Sequence, residues 1–229
     1  MHFGIPRICA TTLLLCLLSG AASGGEPAET SYDGLERVKS PNAQMLYTRP
    51  GADLSSYKRV ALLDCHVAFR KNWQRDQNSS GLRIGSADME RIKKNLAEEF
   101  RKIFVEELQD KGGYEIVTEG GDDVLILRPA IIDLDITAPD VMTAGRSRSF
   151  ATSAGAMTLY IELFDGASGE ILARAADREE ARDMGRMTWQ TSLTNRTEAE
   201  KMLRKWAALA RAALDRARAS GADQAQSND

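Results

Sequence analysis

A single α+β domain is the fold class this sequence predicts, on three observations. The first is a run rich in β-branched residues, Asp123 to Pro139, with Val124, Ile126, Ile131, Ile132 and Ile136. At 17 residues, four of them charged, it falls short of the about 20 apolar residues that cross a bilayer. It reads as a central strand. The second is a pair of long segments with apolar residues at helical spacing, Ser86 to Lys111 and Arg196 to Ala219. The third is a pair of alternating stretches joined by a hairpin loop, Asp165-Gly-Ala-Ser-Gly169. Together they predict a mixed, largely antiparallel five-stranded sheet with both helices packed on one face.

The ends of the chain are read apart from this domain. Residues 1–24 carry one charge, Arg7, then an apolar core from Ile8 to Leu18, then the small residues Ser19 to Gly24. That is the anatomy of a cleaved signal peptide. Residues 25–42 are polar and read as a flexible leader. The folded domain is expected over residues 43–219, with a disordered tail over 220–229. Without the signal segment, 29 Lys+Arg stand against 33 Asp+Glu, since Arg7 is the one charge it carries. Nucleic-acid binding usually shows a basic excess, so nucleic acid is set aside as a partner. No transmembrane span is expected.

Taken in order, the elements are as follows. Gln44 to Tyr57 is an arm pinned by Tyr47, Leu54 and Tyr57, with a turn at Pro50-Gly51. Arg59 to Arg70 reads as one strand. Its alternation places Ala61, Leu63, Cys65, Val67 and Phe69 on the core face, and Asp64 and His66 opposite. Asn72 to Gly85 reads as a loop holding Trp73. Ser86 is the expected N-cap of the first helix, and Gly112-Gly113 its stop. That helix is expected to make a right-handed crossover to a short strand, Tyr114 to Thr118. In the central strand both faces are apolar up to Ile132, as for a strand covered on both sides. Pro129 marks a bulge or a border. Ala154 to Phe164 and Glu170 to Arg178 complete a meander, with Thr158, Tyr160 and Glu162 outward. Asp183 to Asn195 reads as irregular.

Chemistry is sparse. After signal removal one histidine, His66, and one cysteine, Cys65, remain. As strand neighbours they point to opposite faces and form neither a catalytic pair nor a zinc site. No metal or cofactor is expected. No glycine loop of a nucleotide-binding type is present. Asp133 and Asp135 are the best carboxylate pair, two apart on one strand face. With Asp64 they are the residues a glycan hydrolase would use. Arg146 and Arg148, in Gly145-Arg-Ser-Arg-Ser149, are the best anion-binding candidates, since two guanidiniums fork onto a carboxylate or phosphate.

Several of these stretches are similar to one family. The arm Tyr47-x-x-Pro50-Gly-Ala-Asp-Leu-Ser-x-Tyr57-x-x-Val60 resembles the opening of the Gram-negative secreted lipoproteins catalogued as domain of unknown function 3313. The likeness continues through Leu127-Arg-Pro-Ala130, Gly145 to Ser149, the Asp165 to Glu170 hairpin and the Trp206 helix. The resemblance implies an envelope protein with no assigned activity, so it transfers no catalytic residue. The chain departs from the family's lipidation pattern: Cys16 lies among leucines, and no lipidation is assigned there. The functional expectation is a non-catalytic binding or accessory module, in the periplasm or associated with the outer membrane. Its partner would be a cell-envelope protein or glycan component. The alternatives are the glycan hydrolase and a small-anion binder.

Overall fold

The computed structural model describes residues 29–79, 81–137, 149–151, 155–181, 188–190 and 192–227. The Asp123 run is the spine of the fold. It forms β6, Val124–Ile136, which pairs on both sides. On one side β8 (Gly155–Asp165) runs antiparallel to it, followed by β9 (Ile171–Glu180), β2 (Met45–Thr48) and β1 (Glu36–Arg37), each antiparallel to its neighbour. On the other side β3 (Arg59–Leu62) and β4 (His66–Phe69) lie parallel to β6. Beyond β3, β5 (Glu115–Val117) is parallel again. The sheet is therefore mixed and eight-stranded, not five-stranded or largely antiparallel. The expected meander is present as β6–β8–β9. A separate pair joins β7 (Ser149–Ala151) to β10 (Thr188–Gln190).

The expected single first strand is two. β3 pairs with β6 as far as Leu62 and Leu127, and β4 resumes at His66 opposite Ala130. Between them, opposite the break, lies Pro129. A proline has no N–H to donate to a ladder, so a neighbouring strand loses its register there. Leu63 is exposed at the break, contrary to the alternation, while Cys65 and Val67 are buried.

Three helices complete the described chain. α1 (Trp73–Ser79) replaces an expected loop. Trp73 anchors it, fully buried and stacked on Phe69 at 4.1 Å between ring centres. α2 (Ser86–Val105) begins at the residue expected to cap it, so its cap falls one residue earlier. Gly85 caps it, and the Asp88 carboxylate accepts the Gly85 N–H at 3.1 Å. A carboxylate in the first turn also complements the helix dipole. The helix ends in a π-helical turn over Glu106–Lys111. Gly113, with φ +66°, then reverses the chain as only glycine does at little cost. α3 (Ser192–Ser227) is longer than expected at both ends, running through the stretch read as a tail.

The apolar stripes of both helices meet one face of the sheet. Phe100, Ile103, Phe104 and Leu108 from α2 and its π turn pack with Leu203, Trp206 and Leu214 of α3 over Leu125, Leu127, Ile131 and Leu159. Each such side chain, fully buried, contributes about 1.5–3 kcal/mol. The other face of β6 is not covered in the same way. From Leu125 to Ile132 burial alternates along β6: Leu125, Leu127, Pro129 and Ile131 are buried, whereas Ile126, Ala130 and Ile132 are half-buried and Arg128 is exposed. The doubly apolar pattern of this strand thus reflects one packed face and one thinly covered face. Part of the cover of that sheet face comes from the polar leader, where Asp33 bonds Arg174 of β9 and Leu35 nearby is fully buried.

Candidate functional site

The sequence points first to the end of β6. A bulge lies there, since Ile132 pairs with Thr158 but Asp135 pairs with Ala156. Between these pairs Asp133 and Leu134 of β6 oppose the single Met157 of β8. The extra residue is absorbed at Asp133, whose φ of +51° is in the left-handed region. Asp133 is exposed, Leu134 is buried and Asp135 is half-buried. The bulge therefore disrupts the same-face relation expected for the two carboxylates. On β8, Gly155 answers the bulge: a Cβ there would collide with the Asp135 carbonyl oxygen.

Asp135 already has a partner. Arg70 donates to it from Nε at 2.7 Å and to Asp76 of α1 from Nη1 at 2.7 Å. The Arg70 bond, followed by one from Arg75, holds the Asp76 carboxyl below its usual range. The Trp73 indole N–H and the Gln77 amide both donate to the Ile136 carbonyl, at 3.2 and 3.3 Å. α1 is thus the buttress of this strand end. Asp64 stands elsewhere, fully exposed at the break between β3 and β4, 3.9 Å from Arg101. Arg146 and Arg148 lie outside the described residues.

Asp135 also lines a cleft of about 530 Å³. The cleft lies between α2 and α3, N-terminal to two ion pairs that join the π turn to α3. Arg204 bonds Glu106 at 3.2 Å, and Arg211 bonds Glu107 at 3.0 Å. The cleft opens above the ends of β6 and β8. The floor is apolar: Ile92, Leu96, Leu134, Ile136, Met157 and Met202. Ile92 and Leu96 belong to the α2 stripe, yet are only partly buried, because they face this opening. The rim is charged. Glu99 pairs with Lys102 at 3.2 Å, and Glu198 with Lys201 at 2.6 Å. A concave apolar floor with a mixed-charge rim is suited to holding a ligand or a projecting side chain.

Two further polar groupings escaped the sequence reading. On the thinly covered sheet face, Arg128, Glu162 and Arg174 stand side by side on β6, β8 and β9. Glu162 was expected outward, and it does face that way, but it is only 5% exposed. It accepts Arg128 Nε at 2.8 Å, Arg174 Nε at 2.9 Å and the Tyr160 hydroxyl at 2.9 Å. Arg174 continues to Asp33 at 2.5 Å. Burial pushes the Glu162 carboxyl up, but the bonds from Arg128 and Arg174 outweigh it and hold it below the usual range. The second grouping ties the π turn to α3. The buried Glu107 there takes Lys111 at 2.7 Å as well as Arg211. The arginines that complete each grouping lie at least a dozen residues from the glutamate along the chain, so no local motif announces them.

Cys65, in the break just before β4, is buried, and His66, the first residue of β4, is exposed. Among the described residues no group of three His, Cys, Asp or Glu side chains is placed to hold a metal ion. No described helix is long and apolar enough to cross a membrane.

Residues 26–210 match the model of the family described as "Protein of unknown function (DUF3313)". No curated protein matches the chain. Among solved structures, a PelC dodecamer from Paraburkholderia phytofirmans is 11% identical, with 71% of this chain and 94% of that one covered and a TM-score of 0.36. The rare lipoprotein B from Shewanella oneidensis is 12% identical, with 71% and 98% covered and a TM-score of 0.29.

Proposed function

The chain belongs to that family of unknown function, as the arm, hairpin and Trp206-helix motifs suggest, and from this premise we infer that it is an exported, non-catalytic accessory module of the cell envelope. In this reading the cleft of about 530 Å³ holds part of an envelope protein or glycan component. The cleft is the observation that carries the reading. Its floor gives apolar contact, and its rim gives charged groups of both signs to orient what enters. The signal-peptide anatomy of residues 1–24 supports export to the periplasm, with association at the outer membrane as the finer possibility.

The hydrolase alternative finds less support. A glycosidase sets two carboxylates across a gap of about 5–9.5 Å, with the sugar between them. Here Asp135 is held by Arg70, Asp133 faces solvent, and Asp64 is fully exposed at a strand break.

The test fills the cleft. Ala199 is half-buried on α3 and lines it. Ala199→Trp should leave the melting temperature nearly unchanged. It should reduce capture of outer-membrane proteins or peptidoglycan fragments, assayed separately, by about tenfold. Equal capture by both forms would remove the cleft from the reading. Release of new reducing ends from glycan, lost on Asp135→Asn, would replace binding with hydrolysis.

A further inference from the structure

A second, smaller cavity lies under the opposite flank of α3, over β2, β8 and β9. It measures about 200 Å³. Its origin is a mismatch of side-chain size. Leu203, Trp206 and Leu214 are buried and set the distance from helix to sheet. Between them, Ala210 and Ala213 on the helix face Ala173 and Ala175 on β9. Short side chains on both sides cannot meet across a gap that longer neighbours hold open. The side walls are Leu46 and Ile161, which stand in one cross-strand row with Ala175, and Leu163, which stands in the next with Ala173. These walls are only half-buried, because the space between them is not filled.

The cavity is long and narrow. Its helical lining runs from Trp206 to Arg216, and ten residues of helix span about 15 Å. A volume of this size drawn out over that length is about one alkyl chain wide. The two ends differ. At one end the Trp206 indole N–H is already taken by Asp177, at 2.9 Å. At the other end Arg216 is exposed, and among the described residues no carboxylate pairs with it. An apolar slot of this kind stays dry and favours an apolar occupant. The cation at its mouth selects one with a negative head.

We propose that this slot binds the tail of a single-chain alkyl carboxylate, a medium-chain fatty acid in chemical class, with the carboxylate at Arg216. The site is separate from the α2–α3 cleft and stands or falls independently of it.

A chain-length series tests the proposal by calorimetry on the folded protein. From butyrate through hexanoate to octanoate, affinity should rise about fourfold per methylene, then level off once the slot is full. Octanol should bind about threefold more weakly than octanoate, and Arg216→Ala should erase that difference, as expected for an exposed ion pair. Ala175→Leu and Ala210→Leu each fill the slot. Either one, once shown to keep its helical circular dichroism and cooperative melt, should abolish octanoate binding. Ala199→Trp should leave octanoate binding intact, which separates this site from the cleft. An affinity independent of chain length would overturn the proposal. So would binding to phosphatidylglycerol vesicles that octanoate does not compete, which would mean a bilayer surface. Self-association broken by Ala210→Leu with no response to octanoate would mean that a second copy fills the slot.

Discussion

Asp133 holds a backbone conformation that costs an L-residue about 1 kcal/mol, somewhat less for Asp than for bulkier types. The bulge requires it, so the cost belongs to the position and not to the carboxylate. Asp133→Gly should raise stability by up to about 1 kcal/mol, and Asp133→Val should lower it by about 1–2 kcal/mol. Urea midpoints measure both, and a loss with glycine would mean the carboxylate itself matters. Cys65 shows a different residue-level effect. Burial pushes its thiol up to about 12, so the thiol stays protonated in the native protein at pH 8. Native Cys65 should therefore react with a thiol reagent far more slowly than the urea-unfolded chain. The sign of the pH effect follows. The folded state keeps the proton that the unfolded thiol releases near pH 9, so this contribution is present below pH 9 and fades as pH rises towards 12. Rapid native labelling would place Cys65 on the surface. The burial of Cys65 and the exposure of His66 agree with the alternation read from the sequence, although Cys65 lies in the break before β4. The exposure of Leu63 does not, because alternation assumes an unbroken strand.

At the scale of elements, β6, α2 and α3 were legible because each carries a long periodic pattern. β2 and α1 were not. A four-residue strand and a seven-residue helix have too few residues to show a period, and both are held by distant partners: β9 for one, Ile136 for the other. The Arg128–Glu162–Arg174 row makes the same point energetically. Glu162 is buried only because two arginines and a tyrosine surround it. Arg174→Met removes its most buried partner and should destabilise the fold by about 3–5 kcal/mol. Replacing Glu162 by Met as well removes the stranded charge, so the double variant should lose less than Arg174→Met alone. A double-mutant cycle by chemical denaturation reads this out. Additive losses would show that the two side chains act independently.

At the scale of the molecule, the α+β class and the shared helix face were readable from composition and periodicity. The strand order was not. Parallel pairing of β3 with both β5 and β6 depends on where the connections return, and a strand's own residues carry little record of its neighbours. The cleft was equally hidden. It lies between α2 and α3 beyond the Glu106–Arg204 tie, a relation between two segments about a hundred residues apart.

The borders of the sheet are stubs, two residues in β1 and three in β5. Just inside one border, β2 covers the edge of the ten-residue β9. A bare strand of that length is a template for joining other chains, and proteins shorten or charge their edges to prevent it. β1 and β2 are therefore a guard against fibril growth as much as a part of the fold. Deleting residues 29–48 should yield a chain that scatters light and binds thioflavin T at concentrations where the intact protein stays clear. Ala176→Lys in the deleted form would put a charge on the exposed strand and should restore clarity. A truncated chain that stays monomeric without that lysine would mean that β9 protects itself.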